Sequence, residues 1–128
     1  MTRRRISSGG PWEARAGYSR AIAVGDACLV SGTTDAGPDG VSLHPDDAGA
    51  QARAAFGIVE RALAEAGFTL DDVVRTRMYV VDRDDIEAVT AVHGELFARV
   101  RPAATLVVVA ALMTPSLLVE VEAEARRG

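Results

Sequence analysis

Lysine and asparagine are absent from this 128-residue chain, and cysteine and tryptophan occur once each. Gln51 is the only side-chain amide, and all fourteen basic residues are arginine. Without lysine there is no Schiff-base amine, no pyridoxal-phosphate anchor and no Walker phosphate loop. A lone thiol, Cys28, excludes an internal disulfide and a cysteine metal cluster. The two histidines, His44 and His93, stand in different segments and are too few for a histidine zinc site. A Ser-His-Asp triad stays open, because triads are assembled in space, but nothing like a nucleophile elbow supports one. We therefore expect no metal and no cofactor. No apolar run reaches membrane length, and the start, MTRRRISSGG, lacks the apolar core of a signal peptide. A cytoplasmic chain without a membrane partner is the expectation. Aromatics are 5%, the net charge is -4 and the isoelectric point is about 5.1. That lacks the basic footprint of a nucleic-acid partner and argues against one.

What is present reads as one globular domain over 1–128, with 48% hydrophobic and 25% charged residues. Arg3-Arg4-Arg5 reads as a solvated arm, with an added edge strand near Arg4 to Ile6. Ser7 to Pro11 reads as a turn-rich stretch, and Trp12 as a residue at an edge or interface. Gly17–Val24 and Ala27–Gly32 form a predicted hairpin around Gly25-Asp26. Asp46 or Asp47 caps a helix to about Ala66. Its apolar stripe is Ala52, Ala55, Phe56, Val59, Ala62, Leu63 and Ala66, and Gly67 stops it. Gly57 inside it is tolerable if a strand backbone packs close there. In the predicted strand Val73–Val81, Val74, Thr76, Met78 and Val80 share one face, and Arg75, Arg77 and Tyr79 the other. A second helix runs from Asp82–Asp85 to about Val100 on Ile86, Val89, Leu96, Phe97 and Val100, with His93 packed and hydrogen-bonded in the same stripe.

The segment from Arg101 to Ala125 organises the rest. Ala103 to Met113 is apolar except at Thr105, which predicts a strand buried on both faces. Thr114-Pro115-Ser116 turns the chain. In the last strand Val119, Val121 and Ala123 face one way, and Glu120, Glu122 and Glu124 the other. Those carboxylates form a solvated face unless one of them sits in a cleft. Two helices cover one face of a sheet, so an apolar second face implies an oligomer, sheet against sheet.

Pro102-Ala103-Ala104-Thr105 and Val119-Glu120-Val121-Glu122-Ala123 resemble the closing motifs of the Rid family, also called YjgF-like or L-PSP proteins. Gly17, Tyr18, Ser19, Ala21, Gly25, Asp26, Ser31 and Gly32 match that family's opening motif; Ala16, Arg20 and Thr33 differ from it. The resemblance implies an α+β, chorismate-mutase-like subunit with a single sheet and two helices on one face, joined as a homotrimer with the sheets facing inward. It also implies a cleft between subunits that hydrolyses a small 2-imino or enamino acid to a keto acid and ammonia. By the same resemblance Glu120 positions the attacking water, and Tyr18, Ser31, Gly32 and Thr33 line the pocket with Ala104, Thr105 and Leu106. The family's Pro-Ala-Arg carries the arginine that holds the substrate carboxylate, and that position here is Ala104. Arg75, Arg77, Arg99 and Arg101 are the candidates to replace it, unless Arg75 and Arg77 pair with Glu120 or Glu122.

Three functions compete. A deaminase with altered substrate recognition is favoured over a module that binds a small metabolite without turnover. A ribonuclease or translation inhibitor ranks last, because the chain is acidic and poor in aromatics.

Overall fold

In the computed structural model, which describes residues 2–128, six strands form one sheet with three helices. The strands are β1 (Arg3–Ile6), β2 (Ala21–Val24), β3 (Ala27–Thr33), β4 (Val73–Val80), β5 (Ala103–Val108) and β6 (Val119–Arg126). Their order across the sheet is β1-β2-β3-β6-β4-β5. All neighbours are antiparallel except β4 and β5, which run parallel across a helical crossover. Among the described residues no helix is long and apolar enough to cross a membrane.

The helices are α1 (Pro11–Ala16), α2 (Ala48–Glu65) and α3 (Ile86–Phe97). α2 and α3 lie together on one face of the sheet, with the Phe56 and Phe97 rings edge to face at 5.5 Å. The Asp47 side chain caps α2 by accepting from the Ala50 N–H, and Gly67 ends it in the left-handed region at φ 86°. The Phe68 N–H then reaches back to the Leu63 carbonyl at 2.8 Å, the hydrogen bond of a Schellman stop. His93 packs between Phe56 and Phe97, and its Nε2 lies 2.8 Å from Thr76 Oγ1. Partial burial holds its pKa below the ordinary histidine value, and His93 packs at the edge of the core.

Several expectations are corrected. α1 lies between the turn-rich stretch Ser7–Pro11 and the predicted strand from Gly17, where no helix is predicted; six residues carry no helical period, and Pro11 starts what Gly17 ends at φ 80°. The register shifts between Val73 and Arg75, so Val73 enters the core and Val74 is exposed rather than sharing the Thr76 face. Strand β5 stops at Val108, well short of Met113, and is not buried on both faces in the single chain. It pairs by one edge only, and of its apolar residues only Leu106 packs against the core. The open face of the sheet is also not purely apolar. Leu29 and Val107 lie toward its two sides, and the Glu and Arg residues of β6 and β4 occupy its centre.

Gly57 has no strand backbone beside it. A Cβ there would meet only Arg61 Nη1, at an ordinary 3.7 Å. Gly57→Ala should therefore raise unfolding free energy by about 0.5–1 kcal/mol in denaturant titration. A loss of stability would show that the site is crowded after all.

Candidate functional site

The three carboxylates of β6 start alike and end differently. Tyr79, Arg77 and Arg75 of β4 stand opposite Glu120, Glu122 and Glu124. The donors do not bond straight across but reach one row further along β6. Arg77 Nη1 lies 3.5 Å from Glu124 Oε1, and the Tyr79 hydroxyl donates to Glu122 Oε1 at 2.5 Å. By that offset the donor for Glu120 would come from Val81, which has none. Among the described residues Glu120 makes no side-chain hydrogen bond or ion pair, so the expected pairing with Arg75 or Arg77 does not form. Desolvation raises the Glu120 pKa above the ordinary glutamate value, Arg20 pulls it back, and Glu122 pushes it further up.

A bulge in β3 brings the opening motif to this carboxylate. Val30 pairs with Ala123 and Thr33 with Val121, so the stretch through Ser31 and Gly32 carries one residue more than β6 does. Gly32 then lies directly against Glu120, and a Cβ at that position would fall on Glu120 Oε2, inside van der Waals contact. Ser31 Oγ donates to the Ser19 carbonyl at 2.6 Å and its N–H to the Arg20 carbonyl at 2.9 Å, fastening the approach to β2 onto the bulge. The carbonyl of buried Glu13, in α1, accepts the Tyr18 N–H at 2.9 Å and leaves the Tyr18 ring 41% exposed. Gln51 holds the turn before β6. Its amide donates to the His44 and Ser116 carbonyls, and its oxygen accepts the Leu118 N–H at 2.8 Å. The chain's one side-chain amide thus fixes the strand entry that sets Glu120.

The predicted lining residues divide into two groups. Tyr18, Ser31, Gly32 and Glu120 come together. Ala104, Thr105 and Leu106 lie on the edge strand β5, with β4 between them and β6, roughly 10 Å away at ordinary strand spacing. Ala104 is moreover in register with Thr76, on the helix-facing side. The Thr33 side chain is fully buried, with its hydroxyl donating to the Ser31 carbonyl at 2.8 Å.

In the sequence Arg20 stands only as a residue that differs from the family motif. It donates through Nη2 to the Gly32 carbonyl at 2.8 Å, with its guanidinium 5.6 Å from the Tyr18 ring centroid. No local pattern marks it. The signal is an arginine leading into an apolar strand.

A serine, a histidine and an aspartate do converge elsewhere, but not as a triad. Ser42 Oγ and His44 Nδ1 both bond the same oxygen of buried Asp35, at 2.8 and 3.0 Å. The serine is therefore held by the carboxylate rather than by the imidazole, and the cluster braces the loop before α2. Among the described residues no three His, Cys, Asp or Glu side chains gather as a metal site.

The family described as Endoribonuclease L-PSP matches residues 10–127. An uncharacterized protein of Streptomyces coelicolor is 42% identical over 125 residues, 98% of this chain and 92% of that one. The crystal structure of Rv2704 from Mycobacterium tuberculosis, a member of the YjgF/YER057c/UK114 family, superposes with a TM-score of 0.89 at 44% identity, covering 98% of this chain and all of that one. The YjgF gene product of Escherichia coli superposes with a TM-score of 0.82 at 29% identity, covering 98% and 99%.

Gly32→Ala should expel the Glu120 carboxylate while the fold persists, since the displaced atoms end a flexible side chain. A crystal structure of that variant with Glu120 unmoved would refute the close approach.

Proposed function

The chain belongs to the Endoribonuclease L-PSP family, the YjgF-like group that its motifs resemble, and from that premise we propose that it hydrolyses a small imine or enamine to a carbonyl compound and ammonia. The observation that carries this reading is Glu120, the one carboxylate of the β6 face with no side-chain partner among the described residues, half-buried and with its pKa raised above the ordinary glutamate value. A protonated imine carbon is already electrophilic, so no covalent catalyst is needed; the site has to orient substrate, hold one water and move protons. Glu120 accepts a proton as the water oxygen bonds to the imine carbon, and the π pair moves to nitrogen. The same carboxyl returns the proton to that nitrogen; the C–N bond then breaks with its pair leaving on ammonia, the hydroxyl oxygen forms the carbonyl, and the hydroxyl proton passes to the Glu120 carboxylate.

The cleft is completed by a second subunit. In a homotrimer with the sheets turned inward, the β5 edge at Ala104–Leu106 of one subunit closes over Tyr18, Gly32 and Glu120 of the next. The exposed Val107 and Leu29 support this reading, because both lie on the face such a trimer would cover. Ala104 offers neither donor nor charge. An arginine there would add about 1.5–3 kcal/mol of charge-assisted contact to a carboxylate, so substrate recognition in this chain is altered. The acidic chain offers no support for an RNA substrate.

Glu120→Gln should lower turnover of freshly generated imines by about 10²–10⁴-fold with assembly intact, and Glu122→Gln should not. Equal loss from both would contradict the assignment. The acid limb of the wild-type rate profile should lie above the ordinary glutamate value of 4.5, because the base must be ionised and burial opposes that. Glu122→Gln removes a neighbouring negative charge and should move the limb down. Light scattering should report three subunits for the wild type and monomers for Val107→Asp, whose new charge is solvated in the single chain. A monomeric wild type would end the shared-cleft reading.

A further inference from the structure

We propose that Arg20 is the residue that holds the substrate's carboxylate, supplying from the residue before β2 the positive charge that position 104 does not carry; this rests on the deaminase reading above. Arg20 is half-buried, and its Nε is buried without a hydrogen-bond acceptor among the described residues. Its one protein hydrogen bond there is from Nη2 to the Gly32 carbonyl, and no carboxylate lies within 4.0 Å of its nitrogens. A guanidinium has five N–H donors in a planar fork. This one is held by a carbonyl, lies near the Tyr18 ring, and has most of its donors unspent.

Its partner in the site is in the same condition. Glu120 and Arg20 flank one residue, Gly32: the carboxylate against its Cα and the guanidinium on its carbonyl oxygen. They feel each other's charge yet do not pair. An unpaired cation and anion around one glycine suit a molecule that carries its own anion next to its reacting carbon. A 2-imino acid is such a molecule, because its carboxylate carbon is bonded to the imine carbon at roughly 1.5 Å. With the carboxylate on Arg20, the imine carbon lies over Gly32, on the side where Glu120 holds water.

The arginines that the sequence offered as replacements are engaged or distant. Arg77 is on Glu124 and Arg99 on Asp71. Arg75 stands opposite Glu124, four residues along the strand from the row of Glu120, roughly 14 Å at strand rise. Arg101 precedes β5, beyond β4. A carboxylate bound to Arg20 also cancels the field that holds Glu120 down, so the base gains proton affinity when its water must be deprotonated. The other charged or titratable groups around this pair are Glu13 of α1, which also feels Arg20, and Tyr79 and Glu122 on the Glu120 side.

The test uses the intact protein and two readouts. For wild type, Arg20→Gln and Arg20→Lys, turnover is measured on a 2-imino acid generated in place by an amino-acid oxidase, and on 1-pyrroline, an imine without a carboxylate. Binding of pyruvate is measured by calorimetry in the Glu120→Gln background. Arg20→Gln should raise KM for the imino acid and weaken pyruvate binding roughly 10- to 100-fold, with partial recovery in Arg20→Lys; on 1-pyrroline KM should move far less, and the acid limb should shift up because Glu120 loses the Arg20 charge. Pyruvate that binds equally with and without Arg20, or does not bind, overturns the proposal even if turnover is found. Arg20-dependent pyruvate binding in a protein that hydrolyses neither imine keeps Arg20 as the clamp and overturns the deaminase reading instead.

Discussion

Strand β6 lies inside the sheet, hydrogen-bonded to β3 on one side and β4 on the other, and its two faces do opposite things. Val119, Val121, Ala123 and Ala125 are at most 2% exposed and form the floor on which α2 packs. Glu120, Glu122 and Glu124 must then all face the other way, because the side-chain period of a strand is two. A one-residue slip would bury three carboxylates and expose the core, so the register is held by the whole hydrophobic free energy of that face. The position of the candidate base is a by-product of core packing and needs no separate stabilisation.

The same register leaves one carboxylate unmatched. Two donors on β4 serve two acceptors on β6 with an offset of one row, and the row beyond them holds Val81. Glu120 is left to burial on one side and to Arg20 on the other. The bulge at Ser31–Gly32 brings the β3 backbone against it and carries Arg20 along through the Ser31 bonds to β2. The candidate site is thus built from mismatches in an otherwise regular ladder: an extra residue, a missing donor and a missing Cβ.

Much of this was legible in the sequence because it follows from periodicity and local chemistry. The alternation of β6, the Asp47 cap, the Gly67 stop, the stripe of α2 and the hydrogen-bonded packing of His93 are local or nearly so. Tyr18, Gly32 and Glu120, which the resemblance put in one pocket, lie near one another in the fold. The rest depended on pairing that a single strand does not encode. Val74 moved to solvent because the register shifts before Arg75, and Thr33 moved inside because of the bulge beside it. β5 kept its apolar character but not its burial, because nothing within the chain covers it. α1 is too short to show a period. Arg20 is visible only once β2 and β3 are paired and the carbonyl that it holds is known to belong to the residue touching Glu120.

The central claim is that Arg20 and Glu120 bind opposite ends of one small acid across Gly32. A crystal structure of the assembled protein with pyruvate tests it most directly. The account predicts the carboxylate on the Arg20 guanidinium and the keto carbon over Gly32 beside Glu120. It also predicts the β5 edge of a neighbouring subunit closing the cleft. Pyruvate bound through another arginine, or an Arg20 side chain that stays unliganded beside a bound molecule, would contradict it.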